Sequence, residues 1–286
     1  MSERVVVIGG SGKVGHYLIR HLLEAGYEVR NVDRRAPDGE PDCPTVLADA
    51  RDGGQVYSAL AGAEAVVQLA AHPFAGGPPS SVIFHDNTRI TYNVLEAASN
   101  YGIPRVVCMS TMAVVYYPQP AWYPFEPRYL PVDEAHPPTH HNAYSLSKQV
   151  GELTAETFGR LGHTVPVSLR PAWIVTPGEI QAKGLLDPEA LEEGLYGLWS
   201  YMDVRDVARA CQAALEADLD QHQVFNLSAP DTFAPLPTLD LIQKVWPTLT
   251  DLRGDLSGYR PLIDCRKASQ LLGFQAIYSV RDETEL

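Results

Sequence analysis

Residues 142–148, NAYSLSK, place Tyr144 four positions before Lys148. A free tyrosine has a pKa of about 10, which is too high for a base that takes a proton from an alcohol near neutral pH. Four residues make about one helical turn, so an ammonium group on the same face can stabilise the phenolate. The pair therefore indicates proton transfer to or from a hydroxyl group, although this spacing arises by chance in roughly a quarter of chains of this composition.

Two hydroxyl side chains, Ser110 and Thr111, follow the apolar run RVVCM. The run predicts a buried strand, and ligands bind at the carboxyl ends of strands in doubly wound sheets. A hydroxyl group there can orient a substrate oxygen. The spacing leaves open which of the two faces the site, and either can instead cap the strand end.

A glycine-rich segment, VVVIGGSGKVG, lies between a predicted strand and a predicted helix. It satisfies GxGxxG from Gly10 and GxxGxxG from Gly9. Such glycines let the backbone turn tightly and approach a pyrophosphate, which then lies against the amide groups and positive dipole of the helix. We expect the cofactor to contact Gly9, Gly12, Lys13, Val14 and Gly15.

Acidic residues follow the next two predicted strands. Asp33 stands where a carboxylate accepts hydrogen bonds from the adenosine ribose, which favours NAD because a 2′-phosphate would be repelled. Arg34 and Arg35 follow, and either can receive that phosphate, so NADP stays an alternative. Asp49 and Ala50 are predicted beside the adenine, but Asp49 can equally cap the following helix.

The elements that must position these residues alternate along the chain. Short β-branched runs and longer amphipathic stretches predict a parallel sheet covered on both faces, an α/β doubly wound Rossmann fold. We expect a dinucleotide-binding domain over 1–170, to which 201–228 return. Residues 171–200 and 229–286 are predicted to form a small substrate-binding region. The proline-rich and aromatic segment 116–138 is interpreted as a wall or lid over a site.

Composition limits the partners. The net charge is −13 and there is no basic stripe, which argues against nucleic acid. The four cysteines are widely separated and form no metal-ligand pattern, as expected for a cytoplasmic protein with reduced thiols and no metal site. The apolar run near the start is too short for a signal peptide, and no other run is long enough to span a membrane. We therefore expect a small-molecule substrate.

Together the motifs resemble the extended short-chain dehydrogenase/reductase family, also called the NAD-dependent epimerase/dehydratase family. They are, in chain order, GxxGxxG from Gly9, LAA at 69–71, the hydroxyl pair at 110–111 and YxxxK at 144–148. The resemblance runs from about residue 4 to residue 208. It implies that Tyr144 is the catalytic acid/base and that Lys148 is its partner and also holds the ribose. It favours Thr111 as the hydroxyl that contacts the substrate, because the family usually uses the second position of the pair, with Ser110 as the alternative.

The same resemblance assigns further residues. It implies a cofactor lining from Leu69, Ala70, Ala71 and Pro171, the last in the RPAWIV turn, and a structural or proton-relay role for Asn87. We expect substrate contacts from His72, Met112 and Trp173, although a lone histidine is more often structural. A homodimer through paired helices is the habit of the family.

Departures from the family pattern narrow the reaction. Met112 and Ala113 follow Thr111 where sugar-nucleotide dehydratases carry an Asp-Glu pair, and Lys183 is the only cation between 171 and 200 to meet a diphosphate. We expect an NAD(P)-dependent oxidoreductase that transfers hydride between nicotinamide and a secondary alcohol or ketone of a small, sugar-like substrate. The alternatives are a nucleotide-sugar epimerase with tightly bound NAD and a non-catalytic NAD(P)-binding regulator.

Overall fold

The computed structural model describes residues 3–74, 77–116, 126–139, 142–195 and 197–282. Residues 117–125, in the middle of the predicted wall or lid, lie outside the described residues. The chain divides into two compact units. The first unit holds the described residues of Met1–Ser110, His141–Leu169 and Val207–Val224, and the second holds those of Thr111–His140, Arg170–Asp206 and Phe225–Leu286.

The strands of the described chain form two sheets. They are β1 (Arg4–Ile8), β2 (Glu28–Asp33), β3 (Thr45–Leu47), β4 (Ala65–Gln68), β5 (Arg105–Met109), β6 (Val165–Pro171), β7 (Trp173–Val175), β8 (Tyr201–Asp203) and β9 (Gln223–Leu227). The larger sheet has the order β3-β2-β1-β4-β5-β6-β9, and each pairing from β3 through β6 is parallel. Its order reverses between β1 and β4, the switch point where doubly wound folds bind ligands. Strands β7 and β8 form a separate parallel pair.

The helices of the described chain follow the strands in the predicted alternation. They are α1 (Lys13–Glu24), α2 (Gly53–Leu60), α3 (Ser80–Tyr101), α4 (Ala143–Arg160), α5 (Glu179–Ala182), α6 (Leu191–Leu195), α7 (Val204–Glu216), α8 (Thr238–Val245) and α9 (Arg266–Leu272). Short 3₁₀ helices occupy Met112–Val114 and Pro188–Ala190.

The predicted α/β doubly wound fold is confirmed, and its central strands show why the pattern was readable. Val5, Val6, Val7 and Ile8 of β1 are all buried, so both faces of the strand are covered. A parallel strand in this position has no solvent face and is therefore apolar at every residue instead of at alternate ones.

Two helix starts matter for the site. The Asn142 side chain accepts a hydrogen bond from the Ser145 amide at 2.9 Å, so α4 begins at Ala143 and Tyr144 lies in its first turn. The start of α2 is capped by Asp52, whose side chain accepts from the Gln55 amide. The alternative that Asp49 caps this helix is therefore wrong, because a further turn of chain separates Asp49 from the helix.

The second unit has a core of its own, centred on Trp199. The indole Nε1 donates to the Leu191 carbonyl at 2.9 Å, and the ring meets Trp246 edge to face. Gly194 lies against the indole so closely that an added Cβ would stand 1.9 Å from Cδ1 of Trp199. The close packing of Trp199 therefore requires glycine, which has no side chain, at position 194.

We predict that Gly194→Ala lowers the free energy of unfolding by about 1–3 kcal/mol, because the methyl group must displace a buried indole. Gly197→Ala is the matched control, since a Cβ there would meet nothing closer than 4.0 Å. Denaturant unfolding of both variants checks this. Equal stability of the two variants would contradict the packing described for Trp199.

Candidate active site

The glycine loop after β1 is shaped by close backbone packing. Gly9 has φ +90° and its amide donates to the Val32 carbonyl at 2.7 Å. A Cβ on Gly15 would stand 2.4 Å from Cα of Gly10, so the start of α1 can approach the loop only with glycine at this position. By contrast, a Cβ on Gly12 would meet nothing closer than the Gly9 carbonyl oxygen at 3.4 Å.

The first turn of α1 suits an anion. Gly12 is the residue before the helix, and no side chain in the described residues caps the turn through it. Lys13 and Val14 begin the helix, whose amino terminus carries a positive partial charge. The space beside Gly12 and the charge at the helix start together fit the pyrophosphate of a dinucleotide.

Asp33, at the end of β2, is joined to the same loop. One carboxylate oxygen accepts from the Ser11 amide at 3.1 Å and the other from the Arg35 amide at 3.2 Å. The Arg35 guanidinium donates back to the Ser11 carbonyl at 3.3 Å. Asp33 therefore stands beside the glycine loop, and the Arg35 side chain is engaged by the loop backbone.

A chain of charged side chains runs from Asp49 to His72. Arg51 binds the Asp49 carboxylate through two nitrogens, at 2.5 and 2.9 Å, and this contact lowers the pKa of Asp49 to about 2. The same guanidinium reaches one oxygen of Asp86 at 3.1 Å, and Nε2 of His72 lies 2.8 Å from that oxygen. The predicted adenine residue and the predicted substrate residue are thus linked through Arg51 and Asp86.

Asn87 is buried and joins the segment after β4 to α4. Its Oδ1 accepts from the His72 amide at 2.7 Å, while its Nδ2 donates to the His72 carbonyl and to the Ser147 hydroxyl. The Ser147 hydroxyl in turn donates to the Tyr144 carbonyl at 2.7 Å. His72, which follows the predicted cofactor lining at 69–71, is therefore linked through Asn87 and Ser147 to the first turn of α4.

Tyr144 and Lys148 lie one turn apart on α4, and each is only 8% exposed. The Lys148 Nζ is 6.0 Å from the centre of the Tyr144 ring and donates to the Met109 carbonyl at 2.7 Å. Burial lowers the pKa of Lys148 to about 8, while Cys108 and Glu152 act in the opposite direction. An ammonium group with this environment can share or exchange a proton near neutral pH.

The two hydroxyl groups have different partners. Ser110 donates to Oε1 of Glu152 at 2.5 Å, and both side chains are buried. Thr111 accepts from the Ala113 amide at 3.1 Å and caps the short helix at Met112–Val114. Glu152 was missed from the sequence, although its place four residues after Lys148 extends the Tyr144 and Lys148 spacing by one more turn.

The other predicted contacts belong to the second unit. Pro171 is buried at the end of β6, and Met112 is buried in the core of this unit. Trp173 begins β7 and is 38% exposed, with the Lys183 ammonium 5.9 Å from its ring centre and Phe233 edge to face. Trp173 is therefore the most exposed of these three residues and the one aromatic side chain among them.

The described residues lack two kinds of feature, a metal-binding cluster and a membrane-spanning helix. No group of three or more His, Cys, Asp or Glu side chains there is arranged to hold a metal ion. No helix in the described ranges has both the length and the apolar character that a membrane crossing requires. The four cysteines are free thiols, and all but Cys265 are buried.

Known proteins that resemble this chain point to one family. Residues 5–228 match the NAD dependent epimerase/dehydratase family. The chain is 31% identical over 222 residues to a putative dihydroflavonol 4-reductase of Synechocystis sp., covering 73% of this chain and 62% of that protein. It is 26% identical over 241 residues to an NAD-dependent glucose-6-phosphate dehydrogenase of Haloferax volcanii, covering 81% of this chain and 87% of that one. It is 30% identical over 164 residues to a putative UDP-glucose 4-epimerase of Methanocaldococcus jannaschii, covering 55% of this chain and 51% of that one. The chain thus spans less than two thirds of the Synechocystis and Methanocaldococcus relatives.

A solved structure shares the fold. It is a short-chain dehydrogenase/reductase superfamily protein from Agrobacterium tumefaciens with bound NAD, which superposes with a TM-score of 0.72 at 23% identity and covers 99% of this chain and 95% of that one. The chain belongs to the NAD-dependent epimerase/dehydratase family, and so to the extended short-chain dehydrogenases/reductases. The predicted family is therefore confirmed.

We predict that Gly12→Ala weakens NAD binding by about tenfold or more with little change in thermal stability, because its methyl group occupies the space beside the helix start. Gly15→Ala is expected to lower stability itself, since its Cβ would strike the Gly10 backbone. NAD titration and thermal unfolding of both variants separate the two effects. Wild-type NAD affinity in Gly12→Ala would contradict a pyrophosphate position at this loop.

Proposed function

We propose that this protein is an NAD-dependent oxidoreductase that moves hydride between nicotinamide and a secondary alcohol or ketone of a small, sugar-like substrate. The observation that carries the proposal is the buried Lys148 ammonium, which is held on the Met109 carbonyl one helical turn from Tyr144. A lysine that only solubilised the surface would not be buried at such a cost in desolvation.

In this proposal the bound NAD supplies the hydride acceptor or donor. Tyr144 takes the hydroxyl proton of the alcohol, or returns it in the reverse direction. Lys148 stabilises the phenolate by its charge and binds the cofactor ribose. Thr111 donates to the substrate oxygen; its hydroxyl accepts from Ala113 and so keeps its own proton for donation.

The remaining predicted residues have binding roles in the proposal. Asp33 and the glycine loop hold the adenosine and pyrophosphate, and the buried Asn87 keeps the 69–71 lining in place. Residues 171–200 and 229–286 bind the substrate, with Trp173 as a stacking surface. His72, oriented by Asp86, is a further substrate contact.

A free substrate is favoured over a nucleotide sugar. Lys183, the single cation of 171–200, already lies over the Trp173 ring and within 3.9 Å of Glu179. The Haloferax relative is, by its name, a dehydrogenase of a sugar phosphate. A nucleotide-sugar epimerase uses the same hydride step twice and is the alternative.

We predict that Tyr144→Phe lowers kcat about 10²- to 10⁴-fold while NAD binding is retained, because the proton acceptor is lost and the ring stays. The assay follows reduced nicotinamide absorbance with NAD or NADP and a panel of aldoses, uronates, sugar phosphates and UDP-sugars. Tyr101→Phe, an exposed tyrosine of α3, is the matched control.

The outcomes of this panel separate the alternatives. Net reduction of free NAD by a free sugar supports the dehydrogenase. Interconversion of UDP-sugars with NAD retained and no net reduction would replace it with the epimerase. A Tyr144→Phe variant with every measured activity unchanged would favour a non-catalytic regulator.

We further propose that the protein is a cytoplasmic homodimer. The free, widely separated cysteines support a reducing compartment. Exposed apolar side chains on the packed pair α3 and α4 support association: Tyr92, Leu146 and Leu153 are 49%, 37% and 56% exposed. Leu146 and Leu153 lie seven residues apart and so share one face of α4.

We predict that Leu153→Arg shifts the protein from dimer to monomer at micromolar concentration, because a charge at the centre of an apolar contact must be desolvated. Leu271→Arg, at an exposed leucine of α9, is the control. Light scattering coupled to size exclusion measures the mass. A dimer in both variants would place the interface elsewhere, and a monomeric wild type would overturn the dimer.

A further inference from the structure

We propose that Glu152 is a positioning residue of the active site: its carboxylate fixes Ser110 at the end of β5 and supplies the negative charge behind the Lys148 ammonium. The proposal rests on the proposed function, because it describes how the Tyr144 and Lys148 pair is kept in place. Glu152 itself is not expected to touch the substrate.

The first observation is the arrangement on α4. Tyr144, Lys148 and Glu152 follow one another at intervals of four residues and therefore lie along one face of the helix. All three side chains are 7–8% exposed. A glutamate is rarely buried unless a partner compensates its lost hydration.

The second observation is a double contact between this face and the end of β5. Lys148 donates to the Met109 carbonyl at 2.7 Å, and the next residue, Ser110, donates to Glu152 at 2.5 Å. The Ser110 amide also donates to the Leu169 carbonyl at 2.7 Å. Ser110 is therefore held through its backbone and its side chain, and Thr111 is the residue that follows it.

The third observation is the charge around Lys148. Cys108 approaches from β5, and Tyr144 and Glu152 share its helix. Burial raises the pKa of the Cys108 thiol to about 12, so this group is uncharged at neutral pH. The neighbouring face of α3 presents Asn87 and Thr91, which do not ionise. Among these groups Glu152 is the one, apart from Tyr144 in its phenolate form, that can balance the ammonium charge.

The sign of the effect follows from Coulomb's law. Burial lowers the pKa of Lys148 to about 8, and Glu152 opposes that shift. Removal of the carboxylate charge makes proton loss easier for both Lys148 and Tyr144. The acid and alkaline limbs of the pH profile should therefore both move to lower pH, as expected for a coupled pair.

The first experiment measures Lys148 directly in the full chain and needs no substrate. The protein contains five lysines, so carbon-13 labelled lysine gives a short spectrum in which Lys148 is assigned with Lys148→Arg. In Glu152→Gln we expect the Lys148 titration midpoint to fall by roughly 0.5–1 pH unit relative to wild type. The control is Glu156→Gln, one turn further along α4 at an exposed glutamate paired with Arg160. An unchanged midpoint in Glu152→Gln overturns the charge role.

The second experiment separates charge from positioning by kcat. Gln keeps an oxygen that can accept from Ser110, so Glu152→Gln should shift the pH profile with kcat at its optimum within about threefold of wild type. Glu152→Met removes the hydrogen-bond acceptor as well as the charge. We expect its kcat at the pH optimum to be about tenfold lower than that of Glu152→Gln, because Ser110 at the end of β5 is no longer held in position. The substrate is the panel compound that the wild type turns over fastest.

The outcomes keep the two proposals apart. If Glu152→Met loses thermal stability while its kcat matches Glu152→Gln, Glu152 is only structural and the positioning role is overturned. If Tyr144→Phe retains full turnover, the proposed function fails, while the Lys148 titration still decides the charge role of Glu152.

Discussion

The desolvated ammonium group of Lys148 is the constraint on which the first unit depends. An ionised amine loses several kcal/mol of hydration on burial unless fixed dipoles and an opposite charge replace the water. Here the Met109 carbonyl supplies the dipole and α4 supplies the carboxylate of Glu152. Both partners require α4 to lie against the carboxyl end of β5, so the helix cap at Asn142 and the parallel order of the sheet are parts of the same arrangement.

The glycine loop imposes a second constraint of a different kind. Gly15 allows α1 to start in contact with Gly10, whereas the neighbourhood of Gly12 is open. Gly15 is thus required by the fold, whereas Gly12 stands in open space, and this space is the reason we propose the pyrophosphate there. The motif spacing alone does not distinguish the two glycines; the atoms that surround each one do.

Whether a feature could be predicted from the sequence depended on whether its contacts are local or distant along the chain. The fold was predictable because buried parallel strands are apolar at every residue and the loop glycines are adjacent in sequence. The placement of Tyr144 and Lys148 one turn apart was predictable because helical spacing is local; their catalytic roles stay a prediction. The Ser110 contact with Glu152 joins residues 42 positions apart, and no local pattern encodes it. The start of α2 was also not predictable to the residue. Asp49 and Asp52 are equally good capping residues by type, and the helix begins after Asp52.

Chemistry was easier to infer than substrate because the groups proposed to move hydride and a proton can act on any secondary alcohol. Tyr144, Lys148 and the glycine loop belong to the first unit and Thr111 to the second, and none of them selects among such alcohols in the proposed mechanism. Choice among such alcohols must come from other residues, and Trp173, Lys183 and Phe233 belong to the second unit. An aromatic face with one cation beside it can stack on a sugar ring and meet a single negative charge. A diphosphate commonly takes several cationic partners, so this surface is one of the grounds on which we propose a small free sugar or sugar derivative over a nucleotide sugar.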